Sequence, residues 1–219
     1  MTESLFGPLL DSSDVERALL TFLQEWCETY VQYALRLKDP GKVRWPNGIR
    51  EPRSWRTVHL AKEKWPEEQL PCILAHSPGE SRDPEITADG TVLRTFGVAV
   101  GSIATGGGKN PEEDAKELAR LISSALRLAV IQHPDLTCPS YPDGFALDVT
   151  MGPESNSEIT KGVEAERHLM GVWVPYEIQI PQTADVWAGP DVPVEDPTEE
   201  SAPRPQVKPG GASVKINML

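Results

Sequence analysis

The sequence predicts an α/β (α+β) fold in which two long helices pack on a mainly antiparallel sheet of about four strands. Three observations indicate this class: a long strand that runs into a helix, a second amphipathic helix near the N-terminus, and short segments whose apolar residues alternate at period two. The predicted order is helix 14–37, strand 71–76, strand 91–105, helix 111–133, strand 145–151 and strand 168–180.

The strand over 91–105 and the helix that follows it are predicted to form a packing unit that the rest of the chain covers, and the two faces of the strand differ in character. One face is apolar and carries Val92, Phe96, Val98 and Val100. The other face is made of small residues, namely Thr95, Gly97, Ala99 and Gly101. Small residues let another group approach the backbone, so we expect close packing on that second face.

Both helices have N-terminal signals. Asn110 suits the N-cap, Pro111 suits the first helical position, and Glu113 has the spacing of a capping box. Ser13 and Glu16 have the same spacing at the start of the first helix. That helix then carries an apolar stripe, which predicts a core-facing surface: Val15, Leu19, Phe22, Trp26, Tyr30 and Tyr33.

A proline interrupts the last predicted strand. The apolar residues that share one face of this strand are Val172, Val174, Tyr176, Ile178 and Ile180. Because Pro175 cannot donate to a ladder, the strand is predicted to lie at a sheet edge or to contain a bulge there. An edge strand needs cover or a partner, so Pro175 is a candidate interface residue.

The connection over 38–70 is predicted to be irregular, because four prolines interrupt it. It is rich in basic residues interleaved with Trp. Three interpretations remain open: a loop that binds single-stranded nucleic acid by stacking, a solvated loop whose Trp side chains tuck beneath it, or an arm that docks on an acidic neighbour. The candidate contact residues are Arg44, Arg50, Arg53 and Trp55.

The composition changes near residue 184, which divides the chain into a domain over 1–183 and an extended, acidic, Pro-rich arm over 184–219. Val214, Ile216 and Met218 alternate with polar residues at the end of this arm. The end is therefore either a short strand that adds to the sheet edge of another chain or a frayed terminus.

The formal net charge of −12 argues against a protein that grips duplex DNA or an anionic membrane surface. No apolar run approaches the roughly 18 residues of a membrane span, and the N-terminus lacks the basic and apolar regions of a signal peptide. The three cysteines are far apart in sequence, and we expect free thiols in a reducing compartment.

Motifs for catalysis or ligand binding are not evident. Glycines 106–108 precede a helix, but the P-loop spacing fails because Ile103 occupies the first glycine position and Asn110 replaces the Ser or Thr. The four histidines lack metal-ligand spacing, and no serine lies in a nucleophile-elbow context. We therefore expect no catalytic residue, cofactor or metal, and a protein that is not an enzyme.

The order and size of these elements over about residues 10 to 182 resemble the tail terminators of long-tailed bacteriophages, the lambda-type U protein family. The resemblance rests on helix 14–37, strand 71–76, the strand and loop over 91–108, helix 111–133 and the hairpin 145–180. It implies a virion protein in the tail neck, where six copies form a ring that caps the tail tube and ends its polymerisation. The implied partners are the chain itself as a homo-hexamer, the tail tube protein and the head-side connector or stopper protein, with DNA passing transiently and no membrane involved.

The acidic loop between the last two predicted strands is expected to face the lumen of such a ring or the tube. Its candidate residues are Glu154, Glu158, Glu164 and Glu166. Two alternatives remain open: another neck protein of the same particle, such as a head-closure or tail-completion protein, or an enzyme that binds a small ligand or nucleotide. The 38–70 connection and the Pro-rich arm depart from the small members of the family.

Overall fold

The structure is a computed structural model that describes residues 11–38, 52–57, 69–106, 109–158 and 169–182. In chain order its elements are α1 (Ser12–Lys38), β1 (Ser54–Arg56), β2 (Cys72–Glu80), β3 (Glu85–Ile86), β4 (Val92–Thr105), α2 (Pro111–Gln132), β5 (Asp148–Met151), β6 (Ser155–Glu158) and β7 (Leu169–Gln182). The mixed α/β class is confirmed, since two helices pack on one sheet. The predicted number of strands is wrong, because the described residues form seven strands and not about four. The arm over 184–219 lies outside the described residues.

The sheet is organised around the pair β4 and β7. These two strands are 14 residues each and pair without interruption from Val92 opposite Gln182 to Thr105 opposite Leu169. The strand order is β1-β2-β4-β7-β5, with β3 beside β4 and β6 beside β7. The β1–β2 pair is parallel and the other pairs are antiparallel.

The strands that the sequence did not reveal are short. β1, β3 and β6 have three, two and four residues, which is too few for alternation to be recognised. β2 also runs further than predicted, to Glu80 instead of residue 76. A register shift between His76 and Gly79 lets this strand continue past Pro78.

Both helices cover the same face of the sheet. Leu19, Phe22 and Leu23 of α1 and Ile122 and Leu126 of α2 are buried in one cluster with the sheet. The strand residues in that cluster alternate, as predicted: Ile73, Ala75, Phe96, Val98, Val100, Val172, Val174, Tyr176, Ile178 and Ile180. Each fully buried large apolar side chain contributes about 1.5–3 kcal/mol, so this face accounts for most of the hydrophobic stabilisation.

The opposite face carries a smaller apolar cluster, which contains no helix residue. Its buried members are Leu70, Cys72, Leu74, Ile103 and Leu169, and Trp173 packs against them. Trp173 lies opposite Gly101 in the β4–β7 register. A Cβ atom added at Gly101 would lie 2.5 Å from the Trp173 ring. The close packing predicted for the small-residue face is therefore provided by Trp173.

Pro175 does not lie on an edge strand, because β7 pairs with β4 on one side and with β5 and β6 on the other. Its carbonyl accepts a hydrogen bond of 2.8 Å from the Gly152 N–H, at the break between β5 and β6. In an antiparallel pair the N–H and C=O of a residue point to the same neighbour, so the missing Pro175 N–H faces this break. The edge interpretation of Pro175 is wrong, and the irregularity belongs to the neighbouring edge.

The helix starts differ from the predicted capping boxes. α1 begins at Ser12, and the Asp11 carboxylate accepts hydrogen bonds from the Ser13 N–H (2.8 Å) and the Asp14 N–H (3.0 Å). At α2 the proline is at the first helical position as predicted, but the Asn110 side chain makes no capping hydrogen bond. Asp11 replaces Ser13 as the cap because its carboxylate reaches two free N–H groups.

Replacement of Gly101 by Ala is expected to lower the free energy of unfolding by about 1–3 kcal/mol, because the new methyl group overlaps the Trp173 ring. The matched control is Gly97→Ala on the same strand and face, where the nearest atom would be the Ser81 Cβ at an ordinary 3.5 Å. Urea unfolding followed by circular dichroism measures both. Equal losses in the two variants would contradict this account of the second face.

Candidate functional site

The structure gives the described part of the basic connection a structural role. β1 lies within this connection, pairs with β2, and places Trp55 opposite Ile73, where the half-buried indole packs on the main core. The Arg53 side chain is exposed, while its backbone N–H donates to the Pro71 carbonyl at 2.7 Å. The prediction of an irregular segment is therefore wrong for 54–56. Arg44 and Arg50 lie outside the described residues.

The acidic loop is also shorter than predicted, because β6 occupies 155–158. Glu154 is not at a loop tip: its carboxylate lies 3.9 Å from Arg120 Nε and 3.8 Å from Arg127 Nη1. Both arginines are on α2, so Glu154 links the β5–β6 break to a helix. Glu158 ends β6, and Glu164 and Glu166 lie outside the described residues, as do Val214, Ile216 and Met218.

An aromatic cluster surrounds the histidine at the end of α2. The His133 ring stacks on Trp26, with ring centroids 4.3 Å apart and planes at 15°. Its Nε2 atom is 3.1 Å from the Tyr30 hydroxyl, and Phe22 meets the ring edge-on. The Trp26 indole N–H donates to the Thr137 carbonyl at 3.0 Å, which ties the loop after α2 to α1. His133 is therefore part of the packing between the helices.

The three cysteines are buried free thiols. Burial, which is the larger cause, and the neighbouring Glu25 carboxylate together raise the pKa of Cys138 to about 11. Glu25 in turn accepts hydrogen bonds from the Ser140 hydroxyl and, at 3.2 Å, from the Ser140 N–H. A thiol with a raised pKa is protonated near neutral pH and is a poor nucleophile. The role of this group is structural, because the hydrogen bonds between Glu25 and Ser140 hold the loop after α2 against α1.

Glu16 is a buried carboxylate, 7% exposed, that reaches from α1 to the bulge in β2. It accepts a hydrogen bond of 2.5 Å from the Ser77 N–H, and His76 Nδ1 lies 3.9 Å away. Burial raises the pKa of Glu16 above its usual value of 4.5, although the Ser77 hydrogen bond and His76 act in the opposite direction. Glu16 therefore does not complete the predicted capping box. Its carboxylate instead binds the Ser77 N–H on the side of β2 that faces away from β4.

An open, polar pocket of about 910 Å³ lies beside the start of α2. Its lining includes the cations Lys109, Lys116 and Arg120 together with the carboxylates of Glu112, Glu113 and Glu117. The acidic first turn opposes the attraction that a helix N-terminus has for anions. The pocket gives no support to the phosphate-loop interpretation that the sequence had already made weak.

Within the described residues, no group of three or more His, Cys, Asp or Glu side chains is arranged to hold a metal ion. No described helix is long and apolar enough to cross a membrane. We found no match for the chain among protein-family models or among curated proteins.

The remaining candidates for a functional site are exposed surfaces of the described residues. The helix-free face of β4 and β7 leaves Gly97 and Ala99 half-exposed and Pro175 and Pro181 exposed. Five large apolar side chains of the described chain are also exposed: Tyr33, Leu37, Ile86, Ile131 and Leu147. Leu147 directly precedes the edge strand β5, a position that sequence reasoning placed inside a half-buried strand.

Replacement of Glu16 by Gln is expected to flatten the pH dependence of stability in the acidic range. Because the folded pKa is raised, the contribution of Glu16 is fully present below its unfolded pKa and is lost as pH rises through the folded pKa. At neutral pH the uncharged amide introduced by Glu16→Gln still accepts from the Ser77 N–H without a buried charge, so stability should be equal or higher.

The control for this prediction is Glu16→Ala, which leaves the Ser77 N–H without its acceptor and should cost about 1–3 kcal/mol at neutral pH. Urea midpoints measured from pH 4 to pH 8 compare the three proteins. The contrary result is a wild-type urea midpoint that rises from pH 4 to pH 8, together with an equal rise in Glu16→Gln. That result would show that Glu16 is not a buried charged group.

Proposed function

We propose that this chain is a structural protein of the virion of a long-tailed bacteriophage, namely a tail terminator. Six copies form a ring on the end of the tail tube, stop its polymerisation, and join it to the head-side connector or stopper protein. The chain acts without catalytic residues, cofactor or metal. DNA passes through the ring during ejection, and no membrane is involved.

The observation that carries this proposal is the one-sided arrangement of the sheet. Both helices belong to the cluster on one face, and the opposite face of the described sheet has only the small cluster around Trp173. Among the described residues of that face, Pro175 and Pro181 are exposed, which leaves surface for a neighbour or for the tube. A subunit that stacks on a tube and meets two ring neighbours needs such additional surface.

The helices support a terminator over a tube subunit. A tube subunit is expected to be mostly strand, whereas α1 and α2 have 27 and 22 residues and provide much of the main core. The order of the long elements also follows the pattern on which the resemblance rests.

The charge of the chain is compatible with a ring that DNA crosses. Each copy has a net charge of −12, so an assembled ring is strongly acidic. An acidic wall repels phosphate groups, which keeps DNA moving through the lumen without adhesion. The single-strand-binding interpretation of 38–70 receives no support from β1, whose Trp55 packs on the core.

The ring is tested with the purified full-length chain. We expect six-fold rings in negative-stain micrographs and, by light scattering, a particle of six times the 24.1 kDa subunit mass. If the free chain is monomeric, the same rings should appear on the ends of purified tail tubes. A strict monomer that also leaves tube ends uncapped would exclude the proposal.

Deletion of residues 184–219 is expected to leave the melting temperature nearly unchanged, because the arm composition is that of an extended linker. The same deletion should weaken neck assembly, since the terminal segment is proposed to pair with another chain. Thermal unfolding and tube-capping assays measure the two effects separately. A large loss of melting temperature would instead make the arm part of the core of its own domain.

A further inference from the structure

β5 is an open strand at one end of the sheet. It pairs with β7 on one side, and no described strand pairs with its other side. Val149 and Met151 are half-buried and pack on the main core. The Leu147 N–H donates to the Gln179 carbonyl of β7 at 2.8 Å, and Asp148 is paired with the same Gln179, so the regular alternation of this edge begins at Asp148. The edge therefore has two apolar side chains at period two, Val149 and Met151, that are incompletely covered.

The backbone of this edge is oriented to accept another strand. The Gly152 N–H donates to Pro175 of β7, so residue 152 faces the sheet. Because successive residues alternate, the N–H and C=O groups of Val149 and Met151 point away from β7. An added strand would pair with these groups and cover the half-exposed apolar row at the same time.

The other edges of the described sheet are less suited to a new strand. On β2 the Ser77 N–H is taken by Glu16, and Pro78 follows it. The β6 edge begins after Pro153 and presents the exposed polar residues Ser155 and Asn156. β1 and β3 have only three and two residues. β5 is thus the edge that combines outward backbone groups with an apolar row.

The end of the chain has the matching pattern. Val214, Ile216 and Met218 alternate with polar residues at period two, the same spacing as Val149 and Met151 of β5. We propose that the segment over 213–219 of one copy pairs with β5 of a neighbouring copy in the ring. This inference rests on the proposed function and specifies how neighbouring subunits are joined.

The length of the arm favours a neighbour as the acceptor. β7 ends at Gln182, and Gln179 is already paired with Asp148 of β5. A return to the edge of its own subunit would need only a few residues. A segment as long as residues 183–213 could reach at most roughly 95 Å at about 3.1 Å per residue in polyproline geometry, which is enough for a connection between subunits.

The pairing is tested by disulfide cross-linking of full-length chains. With Val149 opposite Ile216, Thr150 lies opposite Lys215 in an antiparallel pair and opposite Asn217 in a parallel pair. Chains carrying Thr150→Cys are mixed with chains carrying Lys215→Cys or Asn217→Cys and then oxidised. The three native cysteines are buried, so they compete little with the introduced thiols. The matched control is Ile86→Cys on β3, where the native side chain is 76% exposed.

We expect one of the two mixtures to give a heterodimer band at least about tenfold stronger than the Ile86→Cys control, because pairing raises the effective concentration of the two thiols. Adding Ile216→Lys to the arm should lower the yield about tenfold, whereas Ile216→Leu should preserve it. Yields no higher than the control would overturn β5 as the acceptor. Cross-links formed only within single chains that carry both cysteines would overturn the assignment to a neighbour.

Micrographs of the same samples separate this inference from the proposed function. Six-fold rings without the Thr150 cross-link would defeat the arm assignment and leave the ring intact. Cross-linked chains without rings, on tubes or free, would defeat the tail-terminator proposal while β5 remained the acceptor of the arm.

Discussion

The uninterrupted pairing of β4 with β7 is the constraint on which the rest of the structure depends. Fourteen residues of β4 pair with fourteen residues of β7, so alternate residues of both strands lie on the same face of the sheet. A slip of one residue would move Val174 and Tyr176 away from the helices and bring Trp173 among them. The apolar alternation of both strands resists that slip, and therefore the position of each helix follows from this register.

The two faces of this pair are stabilised in different ways. On the helix face, long aliphatic and aromatic side chains from α1 and α2 fill the core. On the other face, the absence of a side chain at Gly101 makes room for the Trp173 ring. A glycine also permits the turn from β4 into α2, since a Cβ atom at Gly106 would lie 1.6 Å from the Pro111 carbonyl oxygen. Small residues in β4 and after it therefore determine both the second face and the entry into α2.

Much of this could be predicted from the sequence, because long elements repeat their pattern often enough to be recognised. Both helices, both long strands and close packing on the small-residue face of β4 followed from periodicity and residue size. The contacts of Glu16 and Glu154 could not be predicted in this way. Glu16 closes the β2 bulge 61 positions away, and Glu154 meets arginines on α2, so each partner is set by tertiary packing.

Pro175 shows a related limit. A proline in a strand indicates a missing donor, but it does not tell which strand is irregular. Here β7 remains regular and its neighbour is interrupted, with Gly152 packed so close that an added Cβ would lie 2.6 Å from the Pro175 ring. The edge prediction failed because the irregular partner at 152–154 has no periodicity of its own.

The same interruption determines how much a neighbouring chain can gain at this edge. The break at Gly152 and Pro153 restricts a continuous pairing to β5, so a single added segment can form only a few ladder bonds. A weak edge of this kind protects the free subunit from indiscriminate strand addition. In the proposed ring, however, six such additions are made together, and each becomes intramolecular once the tube has positioned the neighbours. A short pairing at each β5 edge is then compatible with a stable ring. The tube holds neighbouring subunits close together, and this raises the effective concentration of each arm at the β5 edge that it binds.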